Sequence, residues 1–160
     1  MVSKMGSGVI KRRKDMAEFL INGAQTLDFR DPATLITSIG CPKGYVIHRE
    51  GSGIITLRGI TNGCQRFARY LIVYSGNIAL PEGATPGEIS GGLTVSGEPE
   101  IGTIARVTPT AAGAFFHIGA QKFIDVPSGC CMNIAFENVS TSQESIDVDE
   151  QLNISVTRVA

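Results

Sequence analysis

The sequence contains no tryptophan, three tyrosines and two histidines in 160 residues, and only 18% of its residues are charged. So little histidine leaves scant material for a general base or for a histidine-built metal centre. Neither His48 nor His117 stands beside a recognisable nucleophile, and His117, next to Phe115, Phe116 and Ile118, reads as an ordinary strand residue on the less apolar face. The four cysteines, Cys41, Cys64, Cys130 and Cys131, lack the Cys-x-x-Cys spacing of a zinc or redox site. Adjacent strand residues point to opposite faces, so Cys130 and Cys131 cannot readily share a ligand. Buried free thiols in a protein assembled inside a cell are expected. No run approaches the ~20 apolar residues of a membrane helix, and the first residues form no apolar signal stretch. A protein soluble when made, with no membrane partner, is expected.

Three further motifs yield to plainer explanations. Gly51-Ser-Gly53 precedes the strand-like Ile54-Ile-Thr-Leu57, whereas phosphate-cradling loops open a helix; a hairpin turn fits better. Asp147, Asp149 and Glu150 lack the glycine and the twelfth-position glutamate of a calcium loop, which leaves a solvated acidic loop. Asn138-Val-Ser140 and Asn153-Ile-Ser155 match the glycosylation triplet, but they are discounted for want of a secretion signal. No catalytic residue, cofactor or metal is expected, and the chain does not read as an enzyme.

What is present is a polar distribution of charge and a long series of strand signals. Net charge is −1, which argues against nucleic acid as a partner, yet Lys4, Lys11, Arg12, Arg13 and Lys14 all precede the first acid, Asp15. Glu137, Glu144, Asp147, Asp149 and Glu150 crowd the other part of the chain. The basic arm suits a phosphate backbone or an acidic protein surface, and equally a solvated terminus. Asp15 and Glu18 resemble a helix start, with Met16, Phe19 and Leu20 on one side and Gly23 as the stop, so a two-turn helix is expected there. Pro32, Gly40, Pro42 and Gly44 punctuate a connecting strap around Leu35 to Ile39. Residues 1–44 thus read as arm, short helix and strap, and residues 45–160 as the domain.

Within that domain a hairpin is expected over residues 45–60, from Tyr45–Arg49 and Ile54–Arg58 about Gly51. The main sandwich, residues 68–160, opens with Ala68 to Leu80, where Ser75-Gly76-Asn77 suggests a turn or bulge. Strands follow at Ile89–Ser96, Gly102–Thr108, Ala114–Ile118, Lys122–Val126, Cys130–Asn138, Ser145–Val148 and Leu152–Val159. Met132, Ile134 and Phe136 alternate, as do Leu152, Ile154 and Val156, so each set lies on one face of a strand. Spacings of roughly 8–12 residues with no helical pattern between them predict an all-β antiparallel sandwich of jelly-roll type.

Phe123-Ile-Asp-Val-Pro-Ser-Gly129, Met132-Asn-Ile-Ala-Phe136 with Asn138, and Leu152-Asn-Ile-Ser-Val-Thr-Arg-Val159 resemble the trimeric jelly-roll family of tumour-necrosis-factor-like and complement-like heads. Tyr45-Val-Ile-His-Arg-Glu-Gly-Ser-Gly53, Leu57-Arg-Gly59, Phe67-Ala-Arg-Tyr70, Gly76-Asn-Ile78 and Gly129-Cys-Cys131 resemble small uncharacterised proteins of gut Firmicutes and their phages. The resemblance implies a homotrimeric, non-enzymatic virion protein of a bacteriophage, a capsid decoration or head-fibre subunit assembled in the host cytoplasm. The expected partner is the major capsid or another virion protein, with Lys11, Arg12, Arg13 and Lys14 expected to anchor by charge and Phe19 and Leu20 by apolar docking. Phe115-Phe116 and Tyr70-Leu-Ile-Val-Tyr74 are apolar on both strand faces, as a trimer's buried sheet face would require, and Tyr70, Ile72, Tyr74, Phe115, Phe116 and Phe136 are the trimer-interface candidates. The alternative is a trimeric bacterial surface module that binds a carbohydrate or protein receptor, and the virion reading also leaves room for a host-surface receptor.

Overall fold

The computed structural model describes residues 15–160; Lys11, Arg12, Arg13 and Lys14, and with them most of the expected anchor, lie outside the described residues. Among the described residues there are thirteen strands and no helix. In chain order they are β1 (Met16–Ile21), β2 (Gln25–Leu27), β3 (Leu35–Ile39), β4 (Val46–His48), β5 (Ile55–Arg58), β6 (Phe67–Ala79) and β7 (Ile89–Val95). The remainder are β8 (Glu98–Pro99), β9 (Ala105–Val107), β10 (Phe115–Pro127), β11 (Cys131–Asn138), β12 (Ile146–Val148) and β13 (Asn153–Arg158).

All pairings are antiparallel and build two sheets. The first runs β3-β1-β13-β6, with β10 on the free edge of β6 and β12 and β2 continuing beside the far end of β6. The second runs β4-β5-β11-β7, with β8 and β9 sharing the outer edge of β7. Between them lies one core. Tyr70, Ile72, Tyr74 and Ile78 from β6, Ile154 and Val156 from β13, and Phe19 from β1 face Ile55, Leu57, Ile134, Phe136 and Leu93 of the second sheet. Tyr74 and Phe136 meet across the gap with ring centroids 5.3 Å apart, a separation at which tilted aromatic pairs are attractive.

The segment expected to be a helix is the strand β1. Its burial alternates, with Ala17, Phe19 and Ile21 inward and Met16, Glu18 and Leu20 outward, a period of two that no helix supports. Six residues are also too few to sustain a helix without help, whereas β13 on one side and β3 on the other satisfy this backbone as a strand. The strap is likewise structural: β2 and β3 belong to the first sheet, and Leu27, Ala33 and Leu35 are in the core. Residues 16–39 are therefore part of the sandwich and not an appendage to it.

Two breaks suggested by the sequence are absent. β6 runs unbroken through Gly76, because there the Leu152 side chain crosses the strand so closely that a Cβ would sit 2.8 Å from its Cδ1. The glycine marks a close approach, not a turn. Residues 114–118 and 122–126 are likewise one strand, β10, matched residue for residue to β6 from Phe115 opposite Ala79 to Pro127 opposite Phe67. The short β8, absent from the sequence reading, arises because Ser96 (φ 52°) and Gly97 (φ 87°) form a two-residue hairpin turn with positive φ at both positions.

Phe19, expected to dock on a partner, is 1% exposed and makes an edge contact with His48 at 4.9 Å, whereas Leu20 is 38% exposed on the opposite face. Phe19→Ala should therefore lower unfolding free energy by about 3–5 kcal/mol and Leu20→Ala by less than about 1 kcal/mol in the isolated subunit, read by denaturant titration; equal effects would contradict this placement of β1.

Candidate assembly surface

The pleat of β6 sorts its residues into two series. Tyr70, Ile72, Tyr74 and Ile78 point inward and are at most 1% exposed, while Phe67, Arg69, Leu71, Val73, Ser75 and Asn77 point outward. The expected interface residues Tyr70, Ile72, Tyr74 and Phe136 thus occupy the subunit's own core, where no partner reaches them. Their polar ends explain the choice: the Tyr70 hydroxyl reaches the carbonyls of Tyr45 and Arg58 (3.1 and 2.6 Å), and the Tyr74 hydroxyl donates to the Thr103 carbonyl. Buried tyrosines with partners in hand are core residues. Phe115 and Phe116 do remain exposed, at 49% and 38%, where β10 starts.

The outward series assembles a different surface. Pairing registers place Phe123, Leu71, Thr157 and Met16 in one row across β10, β6, β13 and β1. The next row holds Gln121, Val73, Ser155 and Glu18, and the one after it Gly119, Ser75, Asn153, Leu20 and Ile36. Phe123 is 58% exposed, and Val73, Leu20 and Ile36 lie between 37% and 38%. Within these three rows Glu18 is the lone charged residue. At the border, Arg69 clamps Asp125 with two hydrogen bonds of 2.7 and 3.0 Å and lies over the Phe67 ring, which holds the Asp125 carboxyl below the ordinary carboxylate range.

This surface was partly readable: the outward series fades from Leu71 and Val73 into Ser75 and Asn77, while the inward one stays apolar to Ile78. One residue of offset moves a whole set between core and surface.

Elsewhere, among the described residues, the histidines and acids are tied into local contacts. His48 is held by Thr37 Oγ1 at 2.9 Å and by the Ser52 carbonyl at 2.7 Å, and His117 Nδ1 lies 3.1 Å from Asn77 Oδ1. Asp147 accepts from Thr26, and Asp149 from Asn77 and the Gln151 amide, so both serve local structure. Among the described residues no three His, Cys, Asp or Glu side chains converge as metal ligands. No disulfide joins the cysteines, and Cys64, Cys130 and Cys131 are exposed and not buried as expected: Cys64 lies in the loop before β6, Cys130 in the turn after β10, and Cys131 at the first position of β11. A groove of about 240 Å³ lies between Ile54, Ser96, Asn133 and Glu137. Its floor carboxylate, Glu137, is engaged by Arg30 (3.2 Å) and Thr94 (2.7 Å).

With this geometry in place, comparison with solved structures is informative. The Eiger TNF of S. frugiperda superimposes with a TM-score of 0.64 at 11% identity, covering 91% of this chain and 92% of the other. The fold is TNF-like. The globular domain of zebrafish complement 1qA protein matches with a TM-score of 0.56 at 10% identity over 91% of this chain and 98% of its own. At such identities the likeness establishes the jelly roll alone. No protein-family model and no curated protein matches the sequence.

The TNF-like sandwich predicts an alkaline signature. Burial pushes the Tyr74 hydroxyl from its ordinary 10.0 up to about 12. The folded state thus keeps a proton that the unfolded chain releases, so the stability from this group is whole below pH 10.0 and drains away towards about 12. Denaturant midpoints should fall across that window, and Tyr74→Phe should flatten the fall; an unchanged slope in the variant would contradict it.

Proposed function

We propose that the protein is a non-enzymatic structural subunit that assembles as a homotrimer through the outer face of its first sheet. The observation that carries this reading is the nearly charge-free, apolar character of the rows around Phe123, Leu71, Val73, Leu20 and Ile36. A sheet face meant for water carries charge, and the centre of an interface loses it. The TNF-like fold and the resemblance to trimeric heads support three copies, which would close the assembly and leave no apolar face over.

In its finer form the reading makes the trimer a capsid decoration or head-fibre subunit of a bacteriophage, tied to the major capsid or another virion protein by the residues before Asp15. Three tethers that are weak singly hold firmly together, because each binding event raises the local concentration of the next. The resemblance to phage-encoded proteins and the cations Lys11 to Lys14 support it. A second reading, a bacterial surface trimer with a carbohydrate or protein receptor, is favoured by the hydroxyl and amide groups of Thr94, Ser96 and Asn133 around the 240 Å³ groove.

Native mass spectrometry should give three times the 17.0 kDa of the chain, and Leu71→Glu with Val73→Glu should reduce this to a folded monomer, because both side chains point away from the core. A monomeric parent protein overturns the assembly. Purified particles of the phage that encodes the chain should contain it, and deletion of residues 1–14 should remove it from particles while the trimer persists; unchanged incorporation overturns the anchor.

A further inference from the structure

Of the asparagines in the chain, Asn22 and Asn62 precede glycine, whereas Asn77, Asn133, Asn138 and Asn153 precede Ile or Val, whose branched side chains crowd the amide that follows. An Asn-Gly pair carries a reaction of its own. The glycine nitrogen attacks the asparagine Cγ, because no Cβ obstructs the approach. It gives up its proton to hydroxide as the N–Cγ bond forms; the Cγ–Nδ2 bond breaks, and ammonia leaves with a proton from water. Water then opens the cyclic imide. Cleavage at Cγ yields aspartate, and cleavage at the main-chain carbonyl carbon yields isoaspartate, whose backbone runs through Cβ. The sum is amide plus water to carboxylate plus ammonium, with no oxidant or reductant.

The fold places the two pairs differently. Asn22 and Gly23 make the turn from β1 to β2, where both are exposed and Gly23 has φ 76°. Three hydrogen bonds nevertheless hold this backbone: the Asn22 amide to the Thr34 carbonyl at 2.9 Å, the Gly23 amide to the Ile21 carbonyl at 3.0 Å, and Gln25 Nε2 to the Asn22 carbonyl at 3.2 Å. Attack by the Gly23 nitrogen would have to break its own bond and turn a peptide fixed between two strands of the first sheet.

Asn62 and Gly63 lie instead in the loop between β5 and β6, also exposed, with Gly63 at φ 59° and nothing within 4 Å of where a Cβ would stand. The flanks of this loop are tied to the turn after β10: Thr61 Oγ1 lies 2.6 Å from Ser128 Oγ, and the Arg66 carbonyl accepts from the Ser128 amide at 2.9 Å. Between those ties the Gln65 amide bonds the Asn62 carbonyl at 3.2 Å, and the Gly63 nitrogen takes part in no hydrogen bond among the described residues. The nucleophile is therefore unengaged, in a segment that can turn without opening a sheet.

We infer that Asn62 is a self-modification site, which loses its amide to give aspartate and isoaspartate in the folded protein, while the same dipeptide at Asn22 is protected by its sheet. The product adds a carboxylate to a loop whose own charged residue is Arg66, and makes the chain one unit more negative than −1. Isoaspartate also lengthens the loop by a methylene between the ties at Thr61 and Arg66. Its exposed carboxyl is the acceptor group of carboxyl methyltransferases that use S-adenosylmethionine, which names the class of enzyme able to act on this loop.

The full chain is incubated folded in mildly alkaline buffer and sampled over time. Peptide mapping by mass spectrometry reads each asparagine separately, and enzymatic transfer of labelled methyl groups counts isoaspartate. Asn62 should convert at least about tenfold faster than Asn22, since only the latter must break backbone hydrogen bonds. In denaturant the two rates should converge. Asn62→Gln should remove most of the methyl-accepting capacity of the folded protein and leave its melting temperature unchanged. Equal or faster conversion at Asn22, no conversion at Asn62, or a rate ratio that survives denaturation would each overturn the inference.

Discussion

The molecule depends on the two-sided pairing of β6. One edge is matched to β10 along all thirteen residues, and the other is shared between β13 and β12. This fixes the pleat of the central strand, and the pleat decides what is core and what is surface. With Tyr70, Ile72 and Tyr74 committed inward, Leu71 and Val73 have no alternative to facing out. A continuous outward series in β6 then meets the outward residues of its neighbours in rows, which is how isolated apolar positions in sequence become one surface.

Electrostatics completes the division of labour. The outer face of the first sheet is depleted of charge, with Glu18 the lone charged residue in its three central rows. Arg30 shows how firmly a charge elsewhere is placed: it adopts φ 68°, a conformation that disfavours a side chain, while its guanidinium engages the Glu137 carboxylate at 3.2 Å. A pair at the edge of the interior gains most when its geometry is held in this way, because an unpartnered carboxylate there would be costly.

Much of this architecture was legible. The hairpin of residues 45–60, the alternation through Ile134 and Phe136 and through Ile154 and Val156, and the turn at Pro127 and Gly129 follow from period-two patterning and turn chemistry. β1 was not legible, because Met16 to Ile21 is apolar on both sides and a short run of that kind fits helix and strand alike until its neighbours are known. Gly76 misled for a related reason: the sequence shows a missing side chain but not the Leu152 that passes over it. The apolar outer face of β6 was within reach of the residues and lost by one position, since aromatic bulk drew attention to Tyr70 and Tyr74 although bulk is as often a mark of the interior.

β1 pairs with β13 from Met16 opposite Thr157 to Leu20 opposite Asn153. These two neighbours in the first sheet thus come from segments separated by well over a hundred residues. During synthesis the edge of β1 that pairs with β13 must wait, unpaired, until β13 has been made. Contacts of such long sequence separation make folding slow, so the interval between translation and closure is when this chain is most open to aggregation.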